Sequence, residues 1–143
     1  VCYYVNAGNE HATTYGYFAI TAGVTNTRIE EVLCVLLEEC KKLKTELVTD
    51  EELKRVKQYL IGTMKLALES SDSLAMFYGP QEVLKGSTLS PEDRAKKVNA
   101  VTKADLIRVA KKLFKIEKTN LAIIGPWKDS VSVTSILSAS GVL

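Results

Sequence analysis

Two periodicities meet after Val24, and the change between them decides the class of fold. Ahead of it, residues 2–7 and 15–24 are rich in Tyr, Val, Ile, Phe and Thr. The second run alternates Tyr15, Tyr17, Ala19 and Thr21 against Gly16, Phe18, Ile20 and Ala22. Successive side chains of a strand leave on opposite faces, so each of these sets shares one face. Both runs predict strands. The connection AGNEHATT holds Gly8, Asn9 and polar residues, a turn composition that returns the second strand antiparallel to the first in a long hairpin.

Beyond that point the apolar residues take up helical spacing. Thr27-x-x-Glu30 reads as a capping box, followed by Ile29, Val32, Leu33, Leu36, Cys40, Leu43 and Leu47, and predicts a helix to about residue 46. Thr49-x-x-Glu52 opens a second stripe of Leu53, Val56, Leu60, Met64, Ala67 and Leu68, with Lys54, Lys57 and Lys65 outside it, to about residue 69. Ser70, Ser71, Asp72 and Ser73 compete for backbone hydrogen bonds, which suits a helix end and a new N-cap for a helix over 74–84. Gly79-Pro80 predicts a kink there, and Gly86 a stop. Ser90-Pro91 starts a short helix. Thr102-x-x-Asp105 caps another, carrying Leu106, Val109, Ala110, Leu113 and Phe114. Residues 119–124, TNLAII, predict a last strand ended by Gly125-Pro126. This order predicts an α+β fold: a mostly antiparallel sheet with helices packed on one face, over residues 1–127. The tail over 128–143 has no clear period.

At 143 residues, 46% hydrophobic and 25% charged, the chain is long enough to bury one core and too short for two ordinary domains. Its formal net charge of +2 is far from the concentrated field of a nucleic-acid binder. No apolar run approaches the roughly 20 residues of a membrane span. Cys2, Cys34 and Cys40 are an odd count, which argues against a disulfide framework and for free, buried thiols in a reducing compartment. Cys34 and Cys40 lie six apart on a predicted helix and diverge by about 120° around its axis, so they do not jointly hold a metal.

Three segments in this order, VCYYVNAGNEHATTYGYFAITAGV at the start, LALESSDSLAMFYGPQEVLKG over 66–86 and TNLAIIGP over 119–126, resemble one known half-module. It is the C-terminal domain of pitrilysin/insulinase-type zinc peptidases, the inverzincins. The similarity is greatest to the bacterial form related to the mitochondrial processing peptidase. That family's zinc motif is H-x-x-E-H. His11 is the only histidine here, so the chain resembles the half that does not bind zinc. The resemblance implies a non-catalytic domain without cofactor of its own or catalytic residues. Its partners would be the zinc-binding N-terminal domain of a parent metalloendopeptidase and a peptide substrate. It implies no peptidase activity for this chain alone, while charge and hydropathy predict no nucleic-acid partner and no membrane span. An inactive relative serving as a binding or scaffold subunit is the alternative.

One residue carries across from the family's working site. In similar enzymes a tyrosine at the position of Tyr3, with an arginine seven residues before it, contacts substrate near the scissile carbonyl. A phenol can donate to a developing oxyanion. The arginine would fall before residue 1, and a one-place slip in register would substitute Tyr4 for Tyr3. The competing reading makes both tyrosines packed sheet residues. Similar proteins also place a strand and a helix ahead of this point. Without them the sheet has an open edge, which predicts self-association or a companion chain. His11 beside Glu10 reads as an exposed loop histidine, and the basic residues Lys103, Arg108, Lys111, Lys112 and Lys115 as a solvated helix face.

Overall fold

The structure, a computed structural model, describes residues 2–126 and residue 135. The tail predicted over 128–143 lies, that one residue aside, outside the described residues. Strands β1 (Tyr4–His11) and β2 (Gly16–Gly23) form a two-stranded antiparallel sheet. Five helices follow: α1 (Ile29–Thr45), α2 (Asp50–Ala67), α3 (Ser71–Lys85), α4 (Pro91–Ala100) and α5 (Lys103–Leu113). The fold is α+β, as the change of period predicts. Among the described residues it divides into two compact units, one of residues 2–10, 16–47 and 104–126, the other of 11–15 and 48–103.

The first unit is built on the hairpin. Strand β1 runs on through Gly8–His11, which their composition assigned to the turn, and the Ala12 N–H donates to the Tyr15 carbonyl at 2.8 Å. Cross-strand pairing outweighs the local turn preference of Gly8 and Asn9. Gly23 is a close approach: a Cβ there would lie 2.8 Å from Tyr4 Cδ1, so only glycine leaves room for the ring. A 3-10 turn over Asn26–Arg28 leads into α1. It places Thr27 inside a helical turn rather than at an extended N-cap, and the capping box expected from Thr27 and Glu30 is not what opens the helix. Arg28 holds the N-cap position without a side-chain cap bond and instead grips Glu31 through two 2.8 Å hydrogen bonds.

Leu37 and Cys40 of α1 form the buried cluster, with Ile20, Leu33 and Phe114 packed against it. Phe18 meets Phe114 edge to face at 5.6 Å between ring centroids. Phe18 and Ile20 are two residues apart on β2, so α1 and the end of α5 cover one face of the sheet, as expected. The strand predicted over 119–124 does not form. A 3-10 turn occupies Ile116–Lys118, residues 120–124 join no ladder among the described residues, and Ile124 is fully exposed. Strand propensity measures fit to a partner strand, and among the described residues β1 and β2 pair only with each other.

The second unit shows what local signals can specify. Thr49 accepts from the Glu52 N–H at 3.1 Å, Ser70 from that of Ser73 at 3.1 Å and Ser90 from that of Asp93 at 3.1 Å, so three hydroxyls start α2, α3 and α4 as predicted. Because Ser70 is the cap, α3 begins at Ser71 rather than at Leu74. Gly86, with φ of 63°, ends α3 in the left-handed region. Helix α3 continues through Pro80, where the Gln81 side-chain amide donates to the Phe77 carbonyl at 2.7 Å. Lys57, expected on a solvated flank, is half-buried and donates to the carbonyls of Asn99 (2.8 Å) and Val101 (2.6 Å) at the end of α4. A cation there satisfies orphan carbonyls and complements the helix dipole.

Candidate substrate-contact site

Tyr3 stands just ahead of β1. Its N–H donates to the Gly23 carbonyl at 2.7 Å, which pins the backbone to the last residue of β2, while its side chain is 78% exposed. Among the described residues its phenol has no hydrogen-bond partner. Tyr4 differs, because its ring lies along Gly23. Both tyrosines are exposed, Tyr3 at 78% and Tyr4 at 61%, and only the Tyr4 ring lies against the sheet backbone.

Beside the hairpin, within the same unit, runs a groove of about 560 Å³. Gly16 to Ile20 all border it, together with Leu36 and Leu37 of α1 and the 118–121 segment. Side chains of a strand alternate, so five consecutive bordering residues mean that the groove follows the backbone edge of β2.

The remaining candidates separate by position. His11 is exposed at the end of β1. Ser70 and Ser73 bond each other, Oγ to Oγ at 2.9 Å, as part of the α3 cap. Arg108 pairs with Asp105 at 3.0 Å and Lys103 with Asp50 at 2.8 Å, so part of the basic stretch is already neutralised. The thiols correct an expectation: Cys40 is buried, but Cys2 and Cys34 are exposed. Burial pushes the Cys40 thiol up, Glu39 adds to this and Lys44 opposes it. Cys34 lies about 120° around α1 from the buried Cys40, outside the face that packs.

Comparison with known proteins bears on which of these matters. Residues 1–60, spanning the hairpin, α1 and the first part of α2, match the family described as the peptidase M16 inactive domain. An uncharacterized zinc protease of Streptomyces coelicolor is 29% identical over 114 residues, 80% of this chain and 25% of its own length. Over residues 1–60 the chain is similar to the M16 peptidase family. The mitochondrial-processing peptidase subunit beta of Saccharomyces cerevisiae is 26% identical over 111 residues, 78% of this chain and 24% of its own. An uncharacterized zinc protease of Bacillus subtilis is 28% identical over 111 residues, 78% of this chain and 27% of its own. The chain thus spans about a quarter of the length of these relatives.

Its match is to the inactive, C-terminal type of M16 domain, and the donor set agrees. An H-x-x-E-H site needs two histidines where this chain has one. Among the described residues no three His, Cys, Asp or Glu side chains gather as a metal site. The residues present do not supply an H-x-x-E-H zinc site. No helix among the described residues is long and apolar enough to cross a membrane. Sequence reasoning missed the tether made by Lys57 and a second concavity, in the second unit, bordered by Lys85, Arg94 and Lys97. The i, i+3 spacing of Arg94 and Lys97 on an amphipathic helix was the available signal.

Proposed function

We propose that this domain works as the non-catalytic wall of a zinc metalloendopeptidase, supplying substrate contacts to a zinc-binding half elsewhere in a longer protein. The observation that carries the proposal is Tyr3: an unpartnered phenol, held by its backbone to the end of β2, in a chain whose residues do not supply an H-x-x-E-H zinc site. In this role Tyr3 donates its hydroxyl proton to the oxygen of a substrate carbonyl, where negative charge grows during attack. The backbone bond to Gly23 fixes where the side chain starts. Zinc, held by the other half, would activate the attacking water. The apolar groove along the β2 edge is the place for the catalytic half to dock, since an unpaired strand edge offers a row of backbone donors and acceptors.

The test uses the longer protein that contains an H-x-x-E-H helix. Tyr3→Phe there is expected to lower kcat by about 10²-fold, the usual effect of losing one oxyanion donor, with KM little changed. Tyr4→Phe should leave both near the parent values. Unchanged kcat in Tyr3→Phe, or chelator-sensitive peptide hydrolysis by this chain alone, overturns the proposal.

A second reading has its own observation. Tyr59 and Leu66 on α2, and Met76 and Val83 on α3, are each seven residues apart and each at least 69% exposed. Such spacing keeps both members of a pair on one helix face. Those stripes support a scaffold role, in which the domain self-associates or binds a companion subunit. Sedimentation velocity on the purified chain decides it: a concentration-dependent shift to dimer supports association, and a single monomer boundary to high concentration removes it.

A further inference from the structure

The second unit contains an open cleft of about 300 Å³ between the end of α3 and α4. Leu89, Val98 and Val101 give it an apolar floor, and Lys85, Arg94 and Lys97 border it. No aspartate or glutamate does. Arg28, Lys42, Lys96, Lys103 and Arg108 each pair with a carboxylate at 3.0 Å or less. The three cations of the cleft make no such pair among the described residues. Lys97 acts on Asp93 through its charge without a hydrogen bond, and Asp93 instead accepts hydrogen bonds from Lys96 and Ser90.

The cleft is also held in shape. Gln81, 7% exposed, is the one polar group in its lining without a charge, and both ends of its amide are used. Its nitrogen donates to the Phe77 carbonyl at 2.7 Å, and its oxygen accepts from the Leu89 N–H at 3.0 Å, tying the loop after α3 back to that helix. Arg94 stacks over the Phe77 ring at 5.6 Å, which orients its guanidinium without neutralising it. A fixed apolar floor with unneutralised cations at its margin suits an anion attached to an apolar body better than it suits a bare ion or a neutral solute.

We infer that this cleft binds a carboxylate carried on a short aliphatic group, with the aliphatic part on Leu89, Val98 and Val101 and the carboxylate accepting from Lys85, Arg94 and Lys97. A free aliphatic acid and the C-terminal residue of a peptide share this chemistry. The inference does not depend on the role proposed for Tyr3, which lies in the other unit.

Titration of the full chain with octanoate, followed by NMR chemical shifts or calorimetry, tests it, with inorganic phosphate as the anion-only probe. Octanoate should bind saturably, about tenfold or more tighter than phosphate, and weaken as salt is raised. Lys85→Gln combined with Lys97→Gln should weaken octanoate by about tenfold, whereas Lys54→Gln with Lys65→Gln on α2 should change it less than about twofold. All four positions are exposed, and an unchanged melting temperature shows that each variant is folded. A short peptide ending in leucine with a free carboxylate that displaces octanoate, when its C-terminal amide does not, assigns the peptide source. Failure of both peptides to displace it assigns the free acid. Equal affinity for phosphate and octanoate, no saturable octanoate binding, or equal loss in the two double variants overturns the inference.

Discussion

The two units of this molecule are held by different means. In the first, Val32, Leu37, Cys40 and Ala110 are buried apolar residues, and the hairpin, α1 and α5 meet around them. In the second, no apolar side chain among the described residues is buried, and the one residue that is, Gln81, is polar. Its helices are fixed at their ends instead: by three hydroxyl caps, by Gly86, by Lys57 on the carbonyls at the end of α4, and by Gln81 across to Leu89. Caps and single hydrogen bonds each contribute about 1 kcal/mol, while a buried leucine contributes several times that. The second unit therefore has well-specified local structure and little internal cohesion. Its apolar stripes are turned outward, as expected of a surface that completes its packing against something else.

Substitutions sharpen that contrast. The largest effect is expected from Leu37→Ala, about 3 kcal/mol from lost burial and the cavity left behind, measured by denaturant unfolding. If the first unit owes its cohesion to this cluster, near-native stability for that variant would break the comparison. Next comes Gln81→Leu, which leaves the Leu89 N–H and the Phe77 carbonyl without their side-chain partner and should cost about 1–2 kcal/mol, read as a lower melting temperature. Ser90→Ala is expected to cost about 1 kcal/mol, visible as faster amide exchange in the first turn of α4 and unchanged exchange in α1.

The smallest effect belongs to the surface ion pairs, and it should be the same in both units. The Arg28 hydrogen bond holds the Glu31 carboxyl below its ordinary value, and hydrogen bonds from Lys96 and then Ser90 do the same for Asp93. A depressed carboxyl stabilises the fold above its unfolded pKa, and that contribution is lost as pH falls through the folded value. Both pairs are solvent-exposed and screened, so Glu31→Gln and Asp93→Asn should leave the neutral-pH melting temperature unchanged within error. A clear drop in either would show a pair more deeply engaged than the structure has it.

What could be read from the residues follows the same division. Caps are local, so Thr49, Gly86 and Ser90-Pro91 stated their helix boundaries directly, and the Ser70–Ser73 cluster stated a new start to within a turn. The alternation around Phe18 and Ile20 stated which face of β2 is covered. Failures occurred where a non-local partner decides. Residues 119–124 have strand composition without a strand to join, and Gly8–His11 have turn composition but continue a ladder. The tether from Lys57 to the end of α4 joins residues more than 40 apart, and no spacing rule reports it. Tyr3 was legible only through resemblance, since nothing in its neighbours distinguishes a presented phenol from a packed one. The cleft around Gln81 was hidden because its three cations lie on two helices.

Pro80 has a further consequence for the outward face of α3. Having no N–H, it leaves the Met76 carbonyl without its i+4 helical donor. The Met76 thioether stands 73% exposed on the same turn, whereas Met64, the chain's other methionine, is half-buried. Peroxide should therefore reach the Met76 sulfur first and convert it to the polar sulfoxide. Because that sulfur lies in the apolar stripe with Val83, its rate of oxidation becomes a footprint of occupancy, fast when the stripe is bare and slow when a partner is seated on it.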